Sequence, residues 1–163
     1  MDRHPSTHRG HDRAATPSPA ALDRLARQAT THCLTGCAIG EVLGMVIAGL
    51  AGLPATPAVA LSVALAFVFG YGLTMRPLIA GGTGLRTALG LALAADTVSI
   101  TVMETIDNAT ILIVPGAMEA GLGDILFWAA LAGGFAIAWL VTYPINRWLI
   151  ARGRGHAVVH GSH

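Results

Sequence analysis

Glu41, Asp96, Glu104 and Asp107 are acidic residues set inside long apolar stretches of a 163-residue chain, and no Arg or Lys lies between Cys33 and Leu53 or between Thr87 and Val114. An ionised side chain at the centre of a bilayer costs about 2.5–3.5 kcal/mol on insertion scales, so each must be protonated, hydrated or matched by a cation. Protons and cations are also what a membrane path handles. The plainer reading makes them protonated acids that hydrogen-bond between helices, which suits one or two of them better than all four.

Around Glu41 the spacing adds ligand chemistry. Cys33, Cys37, Glu41 and Met45 follow one another at intervals of four, with His32 beside the first. At about 100° per residue these side chains drift slowly around one broad helical face. Thiolate, thioether and imidazole favour Cu(I), whereas thiolate, imidazole and carboxylate also suit Zn(II). A transition-metal site of His32, Cys33, Cys37, Glu41, Met45 and Asp96 is therefore expected, with copper ahead of zinc as the cofactor or cargo and a cytoplasmic metal donor as a partner. A disulfide is the competing use of the two cysteines; their spacing differs from C-x-x-C, and a reducing compartment opposes it. Histidines 4, 8, 11, 156, 160 and 163 flank the apolar region and could gather metal.

A second acidic face follows in the third apolar stretch. Relative to Asp96, Met103 falls at about −20°, Asp107 at about +20° and Glu104 at about +80°. Ser99 and Thr101 add hydroxyls, and Asn108 follows Asp107. Counting about 1.5 Å per residue puts Glu41 and Asp96 roughly 12–16 Å deep, so one cation could share their carboxylates if the two helices touch. Ser99, Met103, Glu104, Asp107 and Asn108 then line the rest of an ion path.

The elements that must position these groups follow from composition. Hydrophobic residues make up 53% of the chain against 12% charged, with a mean hydropathy of +0.62, and an average soluble chain carries about twice that charge. Four apolar stretches, at about 33–53, 57–75, 85–114 and 124–146, each meet the roughly 20 residues that a membrane-spanning helix needs. The expected fold is all-α, an integral membrane four-helix bundle. Residues 1–31 form a polar tail whose segment 20–31, with Leu22, Leu25, Ala26 and Ala29 at helical spacing, reads as a short interfacial helix. Residues 32–150 form the transmembrane domain, and 151–163 form a basic, His-containing tail.

Orientation follows from the arginines, since positive residues beside spans stay in the cytoplasm. Arg3, Arg9, Arg13, Arg24 and Arg27 precede the first span, Arg76 and Arg86 separate the second and third, and Arg147, Arg152 and Arg154 follow the fourth. A multi-pass protein of the cell inner membrane with both termini cytoplasmic is expected, with Trp128, Trp148, Tyr71 and Tyr143 as interfacial anchors. Gly36, Gly40 and Gly44, continued by Ala48, form a ridge of small residues for close helix packing, and a homo-oligomer held partly by this ridge is expected. Gly70-x-Gly72 and Gly133-Gly134 are weaker signals of the same kind.

The arginines form no continuous basic surface, which argues against a nucleic-acid partner; the expected surroundings are the lipid bilayer. H-E-x-x-H, G-x-S-x-G and P-loop motifs are missing, which argues against an enzyme, although ligands from separate helices could still build a membrane metalloenzyme. A proton or cation transporter without metal specificity, and an assembly partner of another membrane complex, are the other readings. The runs from His32 to Met45, from Ala95 to Ser99 with Glu104 and Asp107-Asn108, and from Asn146 to His156 together resemble a family of small bacterial membrane proteins classed as domain of unknown function 4396. The resemblance covers about residues 30–156 and implies a compact multi-helix membrane domain, with no activity attached. Reporter fusions at either terminus are expected to place both ends in the cytoplasm, and an external terminus would reverse the sides assigned above.

Overall fold

The computed structural model describes residues 18–152, which form four helices: α1 (Pro19–Ala51), α2 (Ala55–Ala80), α3 (Leu85–Ile113) and α4 (Ile125–Ala151). All four are long and apolar enough to cross a membrane. Successive helices run antiparallel, so α1 and α3 are parallel and meet across the centre. The end where α1 begins and α4 finishes, here the near end, also holds the α2–α3 turn; the far end carries the other two connections. The tail histidines and Arg3, Arg9, Arg13 and Arg154 lie outside the described residues.

Local signals explain the boundaries. Ser18 caps α1 by accepting a hydrogen bond from the Ala21 N–H at 3.3 Å, with Pro19 in the first turn, where a missing N–H costs nothing. Gly52, at φ 64°, closes the helix in the left-handed conformation that a residue with a Cβ resists. Asp124 caps α4 through the Leu126 N–H at 2.9 Å. Near the far end, the Trp128 indole N–H donates to the Leu122 carbonyl at 2.9 Å and ties the α3–α4 connection to α4.

Segment 20–31 is helical, as its periodicity implies, but no break separates it from the first span. No Gly or Pro interrupts 20–35, and the face carrying Ala26 and Ala29 packs on Ile150 and Tyr143 of α4. At about 1.5 Å per residue the 33 residues of α1 extend roughly 50 Å, against a hydrocarbon core of about 30 Å, so α1 reaches well past one bilayer. Two other helices also outrun the sequence boundaries. α2 continues through Arg76 and Pro77 because Leu78, in the following turn, is buried against Ala88 and Ala95. α4 passes Pro144 and Arg147, held by Ile150. α3 ends within a residue of expectation.

The small-residue ridge of α1 is filled by α2 of the same chain. A Cβ built on Gly36 would stand 2.6 Å from the Gly70 Cα; one on Gly40 would overlap the Ala66 backbone; one on Gly44 would meet Ser62. This corrects the expectation that the ridge holds a homo-oligomer together: it is occupied by α2 within one chain. Of the weaker pairs, Gly70 is used and Gly72 is open, and Gly134 is used and Gly133 is open. Gly40→Leu is accordingly expected to destabilise the monomeric fold by at least about 1–3 kcal/mol, since the α2 backbone cannot yield as a side chain would. Thermal unfolding in detergent checks this. Unchanged stability with a changed oligomer mass would return the ridge to a subunit interface.

Candidate functional site

Along the line where α1 and α3 touch, sulfur and carboxyl groups pair in order. Cys33 Sγ donates to Asp96 Oδ1 at 3.6 Å. One turn on along α1, and two along α3, Cys37 lies against Glu104. A further turn toward the far end, Glu41 meets Asp107, and Glu104 lies close enough to act on both. Asp96 and Asp107 are 1% exposed and Glu41 and Glu104 are 5% exposed, so the whole row is sealed from surroundings. Apart from one another's carboxyl groups, no N–H or hydroxyl among the described residues hydrogen-bonds to Glu41 Oε2, Glu104 Oε2 or either oxygen of Asp107. Every described arginine is exposed at the near end, which leaves the carboxyls without a cationic side chain.

This corrects the expected partnership of Glu41 with Asp96. The helices are parallel, and with Cys33 set against Asp96 the carboxyl of Glu41, eight residues on, meets Asp107, eleven residues on along α3, while Asp96 belongs to the near-end thiol. Met103 shares the buried cluster of Cys33 and Cys37 with Ile100. Met45 lies beyond Glu41 and lines a far-end cavity with Asn108, whose amide nitrogen donates to the Glu104 carbonyl at 2.8 Å. His32 lines a separate open groove with Arg27, Gln28, Thr31 and Thr35. Both thiols are free of disulfide bonds. Among the described residues, no three His, Cys, Asp or Glu side chains converge as a metal ion would require. Thr101, expected near the acids, is instead exposed and bonds back to the Thr97 carbonyl at 2.7 Å.

Several residues that complete the site did not stand out in the sequence. Asn146 of α4 donates to Thr30 Oγ1 of α1 at 2.9 Å and accepts from Ser99 Oγ of α3, and Ser99 also interacts with Cys33. One amide therefore joins three helices at the near end of the row. Asn146 was legible as the end of an apolar run and the start of a family-like one, not as a bonded group. Thr30, inside the polar-looking lead, gave no signal at all, because its role depends on α1 continuing unbroken onto α4. Outside this lock, Arg147 Nε pairs with Asp23 Oδ1 at 2.5 Å and the Tyr143 hydroxyl donates to the same oxygen at 3.3 Å. The hydrogen bond from Arg147, and then its charge, hold the Asp23 carboxyl below the usual carboxylate range. At the other end of the row Gly134 makes room for Asp107, whose Oδ1 occupies the space a Cβ would need.

Chemically, the row offers three acid-bearing pairs in series through one bundle, closed at the near end by neutral hydrogen-bonded side chains. Asn146→Leu would leave Ser99 and Thr30 without their shared partner, at a cost of about 1–3 kcal/mol. Maleimide labelling of Cys33 is expected to accelerate in that variant, and an unchanged rate would show that the lock does not shield the thiol.

No curated protein and no solved structure matches this chain. The arrangement is thus to be read from its own chemistry, within the limits of a family description that names no activity. Residues 24–155 match the family described as Domain of unknown function (DUF4396), and the chain belongs to that family.

Proposed function

We propose that this chain is a multi-pass protein of the inner membrane that moves protons along the α1–α3 contact. The observation that supports the reading is the series Cys33–Asp96, Cys37–Glu104, Glu41–Asp107, buried throughout and unaccompanied by a basic side chain. Neighbouring carboxylates oppose one another's ionisation, so the row stays in balance by holding protons or a cation, and a proton on one pair is shared rather than owned. Successive α1 members are four residues apart, a rise of about 6 Å, which a rotating side chain or one water spans. Gathering of the described arginines at the near end supports a cytoplasmic placement of that end. The near-end stretch of α1, with its exposed arginines, suits the interfacial role that its periodicity suggested.

A soft-metal role is the second reading, and one observation favours it: Cys33, Cys37 and Met103 belong to a single buried cluster, and thiol and thioether sulfur are the donors Cu(I) prefers. Thiols must release their protons to bind, so metal and proton would exchange at the same place. The original donor set narrows in this reading, since Met45 and His32 lie elsewhere.

Proteoliposomes carrying a pH-sensitive dye and a potassium diffusion potential test the proposal. Wild-type protein is expected to acidify or alkalinise the lumen according to the sign of the potential, and Asp107→Asn or Glu41→Gln to reduce the rate to that of empty liposomes. Wild-type vesicles as tight as empty ones would overturn proton movement. A competition titration with a copper(I) chelator separates the second reading: stoichiometric copper lost on Cys33→Ser with Cys37→Ser would favour it.

A further inference from the structure

Beyond Glu41 toward the far end, the packing opens into two adjoining spaces. The inner one is about 20 Å³, with mostly apolar walls that include Leu131, and three polar residues, Glu41, Ser62 and Asn108, border it. The outer one is about 350 Å³ and is lined by apolar side chains and small residues, among them Gly49, Met118 and Leu122. Met45, Val59, Ile111 and Phe127 wall both, so these four form the neck between them. The inner space is large enough for one water-sized group, and the outer falls in the range of about 300–1,000 Å³ typical of sites for small organic molecules.

We propose that the two spaces bind a lipophilic primary amine, with its ammonium group in the inner space and its apolar body in the outer. Size and charge point the same way. An –NH3+ group is close to water in volume and carries three donors. Glu41 is 5% exposed and its Oε2 receives no hydrogen bond from an N–H or hydroxyl. Ser62 Oγ, which donates to the Glu41 carbonyl at 3.4 Å, keeps acceptor capacity. Asn108, its nitrogen engaged by Glu104, keeps its amide oxygen. Glu41, with Asp107 beside it, supplies the countercharge, and Ser62 and Asn108 border the same space. A quaternary ammonium is too large for the inner space. A phospholipid amine would place its phosphate in the apolar neck between Met45 and Phe127, where nothing would hydrogen-bond to it. Met45 and Met118 supply unbranched, polarizable walls that adapt to differing apolar bodies.

The site does not need the proton row to conduct. In phosphatidylcholine nanodiscs, calorimetric titration against protein-free discs compares decylamine, decyltrimethylammonium and decanol. Decylamine is expected to bind saturably, one per chain, at least about tenfold tighter than either analogue, as a charged hydrogen-bonded group contributes that much or more. Glu41→Gln is expected to remove that preference. Gly49→Leu, where an added Cβ meets no atom within 4 Å, fills the outer space without disturbing the fold and is expected to weaken decylamine binding to a similar degree. Asp96→Asn, at the opposite end of the row, is expected to leave it unchanged. Equal uptake of all three probes, or decylamine binding indifferent to both Glu41→Gln and Gly49→Leu, would overturn the site. Saturable, Glu41-dependent binding by a protein that moves no protons would uphold it while removing the relay.

Discussion

Burying carboxyl groups in helices that offer no positive partner is the constraint under which the rest of the bundle is arranged. Each acid must find a neighbour able to share or supply a proton, and α1 and α3 provide those neighbours by running parallel and in contact. Had the arginines entered the spans, ordinary ion pairs would have served. Their confinement to the near end leaves thiols, amides and the acids themselves to complete one another.

Close contact between α1 and α3 in turn depends on what happens behind α1. Two opposite helices of a four-helix bundle are normally separated by the side chains between them. Here Gly36, Gly40 and Gly44 let α1 settle directly on the α2 backbone, and Gly70 accommodates Ile100 of α3. With so little side-chain volume on that side, short groups such as Cys33 and Asp96 reach each other across the centre. Gly134 performs the corresponding service on α4 by leaving space for Asp107. Small residues and acidic residues are therefore two halves of one packing solution.

Much of this was legible in the chain. Apolar length determines the number of helices, and helical angles correctly gather Asp96, Ser99, Met103, Glu104 and Asp107 on one buried face. Angles within a helix say nothing about register between helices, however. That is why Glu41 was expected beside Asp96 when the register sets it against Asp107. Likewise, a run of glycines shows that a close neighbour exists but not whether it belongs to the same chain. Thr30 and Asn146 were hidden because each looks like a boundary residue until α1 and α4 are seen to continue past the apolar limits and bond to one another.

The two ends of the bundle also differ in kind. Near-end helices are tied by the directional bonds of Asn146, Thr30, Ser99, Asp23 and Arg147, whereas the far end encloses spaces of about 350 and 20 Å³. Unfilled volume is what hydrostatic compression acts upon, because eliminating it lowers the volume of the system. Compression would therefore strain the molecule unevenly, collapsing or flooding the far half while the bonded half holds its shape. α1, α3 and α4 are then three rods joined at one end, with the room for them to part growing with distance from the joint.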